Sequence, residues 1–165
     1  MKKKIEKTNV MRILVQKKIP YTAHFYDESE SPQGTSEYGE HIAAILGQDP
    51  ARVFKTLVAQ GASQNYYVFE LPAAESLDLK KAARAAGEKS VELLHVADIN
   101  TITGYIRGGC SPVGMKKQFP TIFHETALNY PSIIISGGKI GAQVEVAPQP
   151  LLDLVRGDTA DIIVS

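Results

Sequence analysis

Two glycine-rich turns constrain this chain more than anything else in it: Arg107-Gly-Gly-Cys-Ser-Pro-Val-Gly-Met-Lys-Lys117 and, about twenty residues later, Ser136-Gly-Gly-Lys139. The first begins just after a short helix expected over residues 96–103 and closed by Gly104. The second separates two short apolar strands, residues 133–135 and 144–146. Each turn carries lysine at its far end and no acidic residue within it. Backbone N–H groups beside positive charge are how a protein holds a phosphate or a carbonyl oxygen.

The rest of the chain supplies elements around these turns. Residues 5–18 place Ile5, Met11, Leu14 and Val15 near helical spacing, and residues 21–26 alternate like a strand after Pro20. A polar loop over 27–35 precedes a helix that Ser36 can cap and that runs through Ile42, Ile45 and Leu46 to Gly47. Asp49-Pro50 reads as an N-cap and first helical residue, ahead of a strand over 53–59. Residues 66–71 form a second strand, paired with the first as an antiparallel hairpin. Asp78 caps an alanine-rich helix ending at Gly87, and Pro148 and Pro150 open a last helix through Leu151, Leu152, Leu154 and Val155. The order is mixed α/β, not strictly alternating, with no repeat and no linker to split it.

A chain of 165 residues is expected to be one domain, burying roughly 70% of the surface its unfolded form exposes. Its single cysteine, Cys110, rules out a disulfide framework. The N-terminus has no apolar run of the roughly 7 to 15 residues of a signal peptide, and no stretch reaches the roughly 18 apolar residues of a membrane span, so a cytoplasmic protein is expected. Eighteen basic residues balance eighteen acidic ones, yet Lys2, Lys3, Lys4, Lys7, Arg12, Lys17 and Lys18 crowd the first helix against Glu6 alone. That face either is simply solvated or meets nucleic acid. A second cluster, Arg107, Lys116, Lys117 and Lys139, coincides with the glycine turns.

Several familiar sites are excluded by register. Gly109 and Gly114 have the spacing of a phosphate-binding P-loop, but Met115 stands where its lysine belongs. Five residues after Cys110 the next position is Lys116, not the arginine of a cysteine phosphatase. His24, His41, His95 and His124 are scattered, with no partner at metal-ligand spacing, so neither a metal nor another cofactor is expected. Lys55 differs in kind, lying inside the apolar run Val53-Phe-Lys-Thr-Leu-Val58. In a strand it shares a face with Val53 and Leu57, and it either snorkels from an edge or enters a cavity.

Together, Val53-Phe-Lys-Thr-Leu-Val58, Leu77-Asp-Leu-Lys-Lys81, Thr103-Gly-Tyr105, Gly108-Gly-Cys-Ser-Pro-Val-Gly-Met-Lys-Lys117 and Ser136-Gly-Gly-Lys139 resemble the YbaK/EbsC family of trans-editing aminoacyl-tRNA deacylases. The likeness runs from about Arg12 to Ile163, and the Ser-Pro form of the first turn resembles the cysteine-editing YbaK branch. It implies a single α+β domain, with a mostly antiparallel curved sheet or partial barrel flanked by helices. It implies a substrate too: tRNA(Pro) wrongly charged with cysteine, with Cys-tRNA(Cys) as a second. In the family the substrate's own thiol is the proposed nucleophile, so no enzymic nucleophile is required.

By the resemblance Lys55, Gly108 and Ser136 are catalytic: Lys55 orients the aminoacyl end and stabilises charge, Gly108 offers its N–H to the carbonyl oxygen, and Ser136 hydrogen-bonds the amino acid or terminal ribose. Tyr26, Tyr38, Thr56, Arg107, Gly109, Ser111, Gly137, Gly138 and Lys139 are expected to line the substrate. For Tyr26 and Tyr38 the alternative is an ordinary core tyrosine. Lys116 and Lys117, with Arg107, would meet acceptor-end phosphates, and prolyl-tRNA synthetase is the implied partner. Where relatives carry an arginine and a carboxylate the chain has Ile140 and Gln143, which suggests a lost surface ion pair or a changed contact to tRNA or the aminoacyl group. Tyr38 stands where phenylalanine is common, adding a hydroxyl. Three other functions compete: a binding module for a nucleotide or aminoacyl-adenosine, a deacylase for another amino acid such as alanine or serine, and an esterase with Cys110 as nucleophile.

Overall fold

The computed structural model describes residues 7–27, 42–44 and 46–165. Helix α1 (Asn9–Gln16) starts where the Thr8 hydroxyl accepts from the Met11 N–H at 3.2 Å, and its apolar stripe of Val10, Met11 and Leu14 is buried. It is shorter than the sequence pattern suggests, because that cap sets its first turn. Strand β1 (Tyr21–Phe25) follows. Residues 42–44 and 46 are helical, whereas Ser36 and the polar loop beyond residue 27 lie outside the described residues.

The central hairpin pairs β2 (Phe54–Gly61) with β3 (Tyr66–Pro72), in register from Phe54 opposite Pro72 to Gln60 opposite Tyr66. Helix α2 (Leu79–Ala86) is framed as its sequence requires: the Asp78 carboxylate accepts from the Lys80 and Lys81 N–H groups, and Gly87 closes it in the left-handed conformation. Next come β4 (Val91–Leu93), α3 (Val96–Thr103) and β5 (Thr121–His124), then β6 (Ile133–Ser136), β7 (Ala142–Val146), α4 (Pro148–Val155) and β8 (Asp158–Ala160). The sequence reading missed β4, β5 and β8. All four residues of β5 are buried, so no alternation marks it, and the other two are three-residue edge strands.

These strands form two sheets. One is three-stranded and antiparallel, in the order β1-β7-β6, and the other is five-stranded, β4-β2-β3-β5-β8, with parallel pairing at β3-β5 and β5-β8. A single parallel bridge, Val53 to Ile134, joins them where β2 begins. The expected curved, mixed sheet is therefore two sheets hinged at one point.

Each sheet has its own core. Ile133, Ile135, Val144 and Val146 pack with α1, α4, Phe54 and Val113. Phe69, Leu71 and Ile122 pack with Ala82 and Ala83 of α2. Fully burying such a side chain contributes about 1.5 to 3 kcal/mol. At the hinge, Ala43, Val53, Ala73 and Ile134 form a third, small cluster. Among the described residues, no helix is long and apolar enough to cross a membrane.

Candidate functional site

The hinge positions the site. Upstream of β2, Asp49 accepts from the Ala51 N–H at 3.0 Å and starts a 3₁₀ turn over Pro50–Arg52. Arg52 leaves that turn for the other sheet: Nε donates to the Ser132 carbonyl at 3.1 Å, and a terminal nitrogen pairs with Glu145 at 2.6 Å. Ser132 Oγ and His24 Nε2 complete the ring around Glu145. These donors, Ser132 first, then His24 and Arg52, hold the Glu145 carboxyl down at about 2. The clamp fixes Val53 against Ile134, and two residues further along the two strands stand Lys55 and Ser136.

Lys55 is half-buried, and its Nζ donates to the Ala73 carbonyl at 3.2 Å, at the edge of the hinge cluster. Ser136 is half-buried too. Its Oγ accepts from the Gly138 N–H at 3.1 Å, which leaves its own hydrogen to donate elsewhere. The Gly137 N–H is taken by the Ala142 carbonyl at 2.8 Å, so Gly137 and Gly138 shape the second turn around Ser136.

The two glycine turns meet. A Cβ on Gly109 would stand 3.1 Å from the Ile140 N and the Lys139 Cα, so the first turn lies backbone to backbone on the second, and a side chain there would push them apart. The Gly109 N–H is occupied by the Ile106 carbonyl at 3.0 Å. Gly108, at φ +87°, turns its peptide in a conformation that L side chains rarely adopt, and among the described residues its N–H has no backbone partner. Thr103-Gly-Tyr105 braces this arrangement. The Thr103 hydroxyl donates to Ile99 O at 2.7 Å and accepts from the Tyr105 N–H at 3.0 Å, while the Tyr105 hydroxyl donates to the Val113 carbonyl.

The remaining expected residues fall in three groups. Arg107, Lys117 and Lys139 are exposed beside the turns, and Tyr26 is drawn to them by its N–H, which donates to the Gly141 carbonyl at 3.0 Å. Lys116 is exposed but lies across Gly104 toward the Thr101 carbonyl at 3.5 Å, over the end of α3. Ser111 is fully buried, and its hydroxyl accepts from the Val113 N–H at 3.3 Å, inside the turn. Thr56 is turned to Glu70, donating at 2.7 and 2.9 Å. Tyr38 lies outside the described residues.

One departure from the family pattern needs correcting. Gln143 is not at the surface: it is 7% exposed, and its carbonyl accepts from Gln48 Nε2 at 2.8 Å. A buried amide pair, not a lost surface ion pair, stands at that position. Cys110 also loses its claim as a nucleophile, because burial first, and the Glu70 carboxyl second, push its thiol up to about 12. Among the described residues no three His, Cys, Asp or Glu side chains are grouped to hold a metal.

Arg52, Glu145, Ser132 and Glu70 were missed from the sequence. For Glu70 the signal was present, since it is a charge inside the apolar run of residues 66–71, the same mark that singles out Lys55.

The sequence model of the aminoacyl-tRNA editing domain matches residues 34–154. This chain belongs to the aminoacyl-tRNA editing-domain family. An Enterococcus faecalis protein with the provisional name Cys-tRNA(Pro)/Cys-tRNA(Cys) deacylase EbsC is 47% identical over 161 residues, 98% of this chain and 96% of that one. Among solved structures, one described provisionally as a trans-editing enzyme for prolyl-tRNA synthetase aligns with a TM-score of 0.76 at 25% identity, over 94% of this chain and 95% of the other. A hypothetical protein at 21% identity shares the fold, with a TM-score of 0.80 over 94% of this chain and 99% of its own. Across these structures the fold is held while most side chains change. In this member the two glycine turns meet at Gly109, and Lys55 and Ser136 each follow the Val53–Ile134 bridge by two residues.

Proposed function

We propose that the chain is a single-domain trans-editing deacylase that removes cysteine from mischarged tRNA(Pro), with Cys-tRNA(Cys) as a second substrate. The observation that carries this is the contact of Gly109 with the Lys139–Ile140 backbone, together with the Val53–Ile134 bridge two residues before Lys55 and Ser136. A lysine ammonium and, among the described residues, a glycine N–H with no backbone partner and a serine hydroxyl with its hydrogen left to donate are the donors an ester oxyanion needs. The name of the 47% identical relative supports cysteine as the amino acid.

The substrate thiol attacks its own ester carbonyl. A C–S bond forms, the C–O bond to the ribose breaks, and the thiol proton passes to the departing ribose oxygen, giving a thiolactone and free tRNA. Lys55 and the Gly108 N–H hold the carbonyl oxygen as it gains charge, and Ser136 holds the amino acid or ribose. Gly109, Gly137, Gly138 and Lys139 form the wall of the pocket, with Tyr26 and Tyr38 beside the terminal adenosine and Ser111 keeping the first turn in shape. Thr56 acts from beneath. Arg107, Lys116 and Lys117 meet acceptor-end phosphates, so affinity falls steeply with salt. Few cations serve so large a ligand, and prolyl-tRNA synthetase is the partner that supplies tRNA selectivity. Tight, selective binding of free tRNA(Pro) without synthetase would refute that partnership.

Release of labelled amino acid from tRNA(Pro) charged with cysteine, alanine, proline or serine tests the function. Selective loss of cysteine is expected, with Lys55→Ala slower by about 10²-fold. Equal release of serine would replace the thiol with an attacking water, and release of nothing, even with synthetase added, would leave a binding module.

A further inference from the structure

Glu70 is fully buried in a strand that has no other charged residue. Both its oxygens lie on one hydroxyl, that of Thr56, and no cation among the described residues pairs with it. Cys110 of the first turn is close enough for its thiol to respond to the Glu70 charge. Across the sheet it faces Phe123 of β5. Burial drives its carboxyl well above the usual carboxylate range, against only a partial pull from Thr56, which favours the protonated form. An apolar side chain of similar volume would fill such a place at lower cost. A carboxyl kept there points to a role beyond packing.

Its neighbours define the role. Thr56 follows Lys55 on β2, and Cys110 follows Gly108 and Gly109 on the first turn. Successive residues of a strand point to opposite faces, so Glu70 touches neither Lys55 nor the acyl group. It sits beneath both.

We propose that Glu70 is a positioning residue for the deacylation: bonded to Thr56 and close to Cys110, it ties the first glycine turn to the strand carrying Lys55, setting the separation of the Gly108 N–H and the Lys55 ammonium at the acyl carbonyl. This rests on the deacylase function above. The effect falls on turnover and not on tRNA binding, because the phosphate contacts lie outside the tie.

The test is kcat and KM on Cys-tRNA(Pro) for wild type, Glu70→Leu, Glu70→Gln, Thr56→Val and the Glu70→Leu/Thr56→Val double variant, each with a urea unfolding curve. Glu70→Leu is expected to lower kcat about tenfold at unchanged KM, with a urea midpoint no lower than wild type. Glu70→Gln, uncharged and still able to bond Thr56, is expected to stay within about twofold of wild type. The double variant should be no worse than Glu70→Leu, since both break one tie. Wild-type kcat in Glu70→Leu, losses that add in the double variant, or a Glu70→Gln as slow as Glu70→Leu would each overturn the proposal, the last by giving the role to the charge. If Glu70→Leu does not fold, Glu70→Gln and Thr56→Val decide: an active Gln variant with a slowed Val variant supports the tie, and any other pairing rejects it. A wild type that releases no amino acid would reject the deacylase function itself, whereas an active wild type with indifferent variants rejects the positioning role alone.

Discussion

Glu145 and Glu70 each hold one side of the site, and they titrate in opposite directions. Glu145 lies at the hinge, a quarter exposed, ringed by Arg52, Ser132 and His24, and is held down at about 2. Glu70 lies within the five-stranded sheet with a single hydroxyl for company and is pushed up. The same side chain is favoured as the ion at one place and as the acid at the other. Donors decide it: where cations and hydroxyls converge the ion is favoured, and where burial comes without them the proton stays. The hinge is thus an ion-pair joint, whereas the contact between β2 and β3 at Glu70 is a buried hydrogen bond with no cation beside it among the described residues.

Removing each group should separate the two most sharply. Glu145→Ala strands the Arg52 guanidinium and is expected to cost about 1 to 2 kcal/mol in urea unfolding, the partial exposure of both side chains keeping it from being larger. Deacylation should slow as well, because Lys55 follows directly from the clamped turn. A wild-type urea midpoint for Glu145→Ala would mean that the clamp adds nothing. Glu70→Leu should move stability the other way or not at all, by no more than about 1 kcal/mol.

Changing pH is the next smaller effect, and the signs are opposite. Glu145 has a folded value below its ordinary 4.5, so its contribution is present above 4.5 and is lost as pH falls toward about 2. Glu70 has a raised folded value, so its contribution is full below 4.5 and is lost as pH rises from there through that value. Unfolding curves across the range should lose the acid slope in Glu145→Gln and the opposite slope in Glu70→Leu. Unchanged slopes in both variants would remove the contrast. The smallest effect is expected at Asp161, which meets Lys81 at 3.0 Å but is half exposed: Asp161→Asn should leave the urea midpoint in place.

Much of this was legible in the residues. Asp78 and Gly87 frame α2 as capping chemistry demands, and the β2–β3 hairpin follows from its alternating and β-branched residues. Lys55 stood out as a charge in an apolar run. Glu70 carried the same mark, but an acid in a strand has no visible partner until β2 is paired with β3 in register, Thr56 opposite Glu70. Strand β5 was hidden because burial of both faces erases alternation. Gln143 was misplaced at the surface because sequence distance conceals Gln48, its partner across 95 positions.

The sequence by itself determined the local conformations and the chemistry available: where helices start and stop, which turns need glycine, and that the turns carry cations. These depend on neighbours a few residues apart, whose interactions the order of the chain already specifies. Only the tertiary structure decided that Val53 meets Ile134, that Gly109 rests on Lys139 and Ile140, and that one glutamate is held down while the other is pushed up. Those outcomes depend on desolvation and on partners brought from far along the chain, and neither exists until the two sheets close on each other.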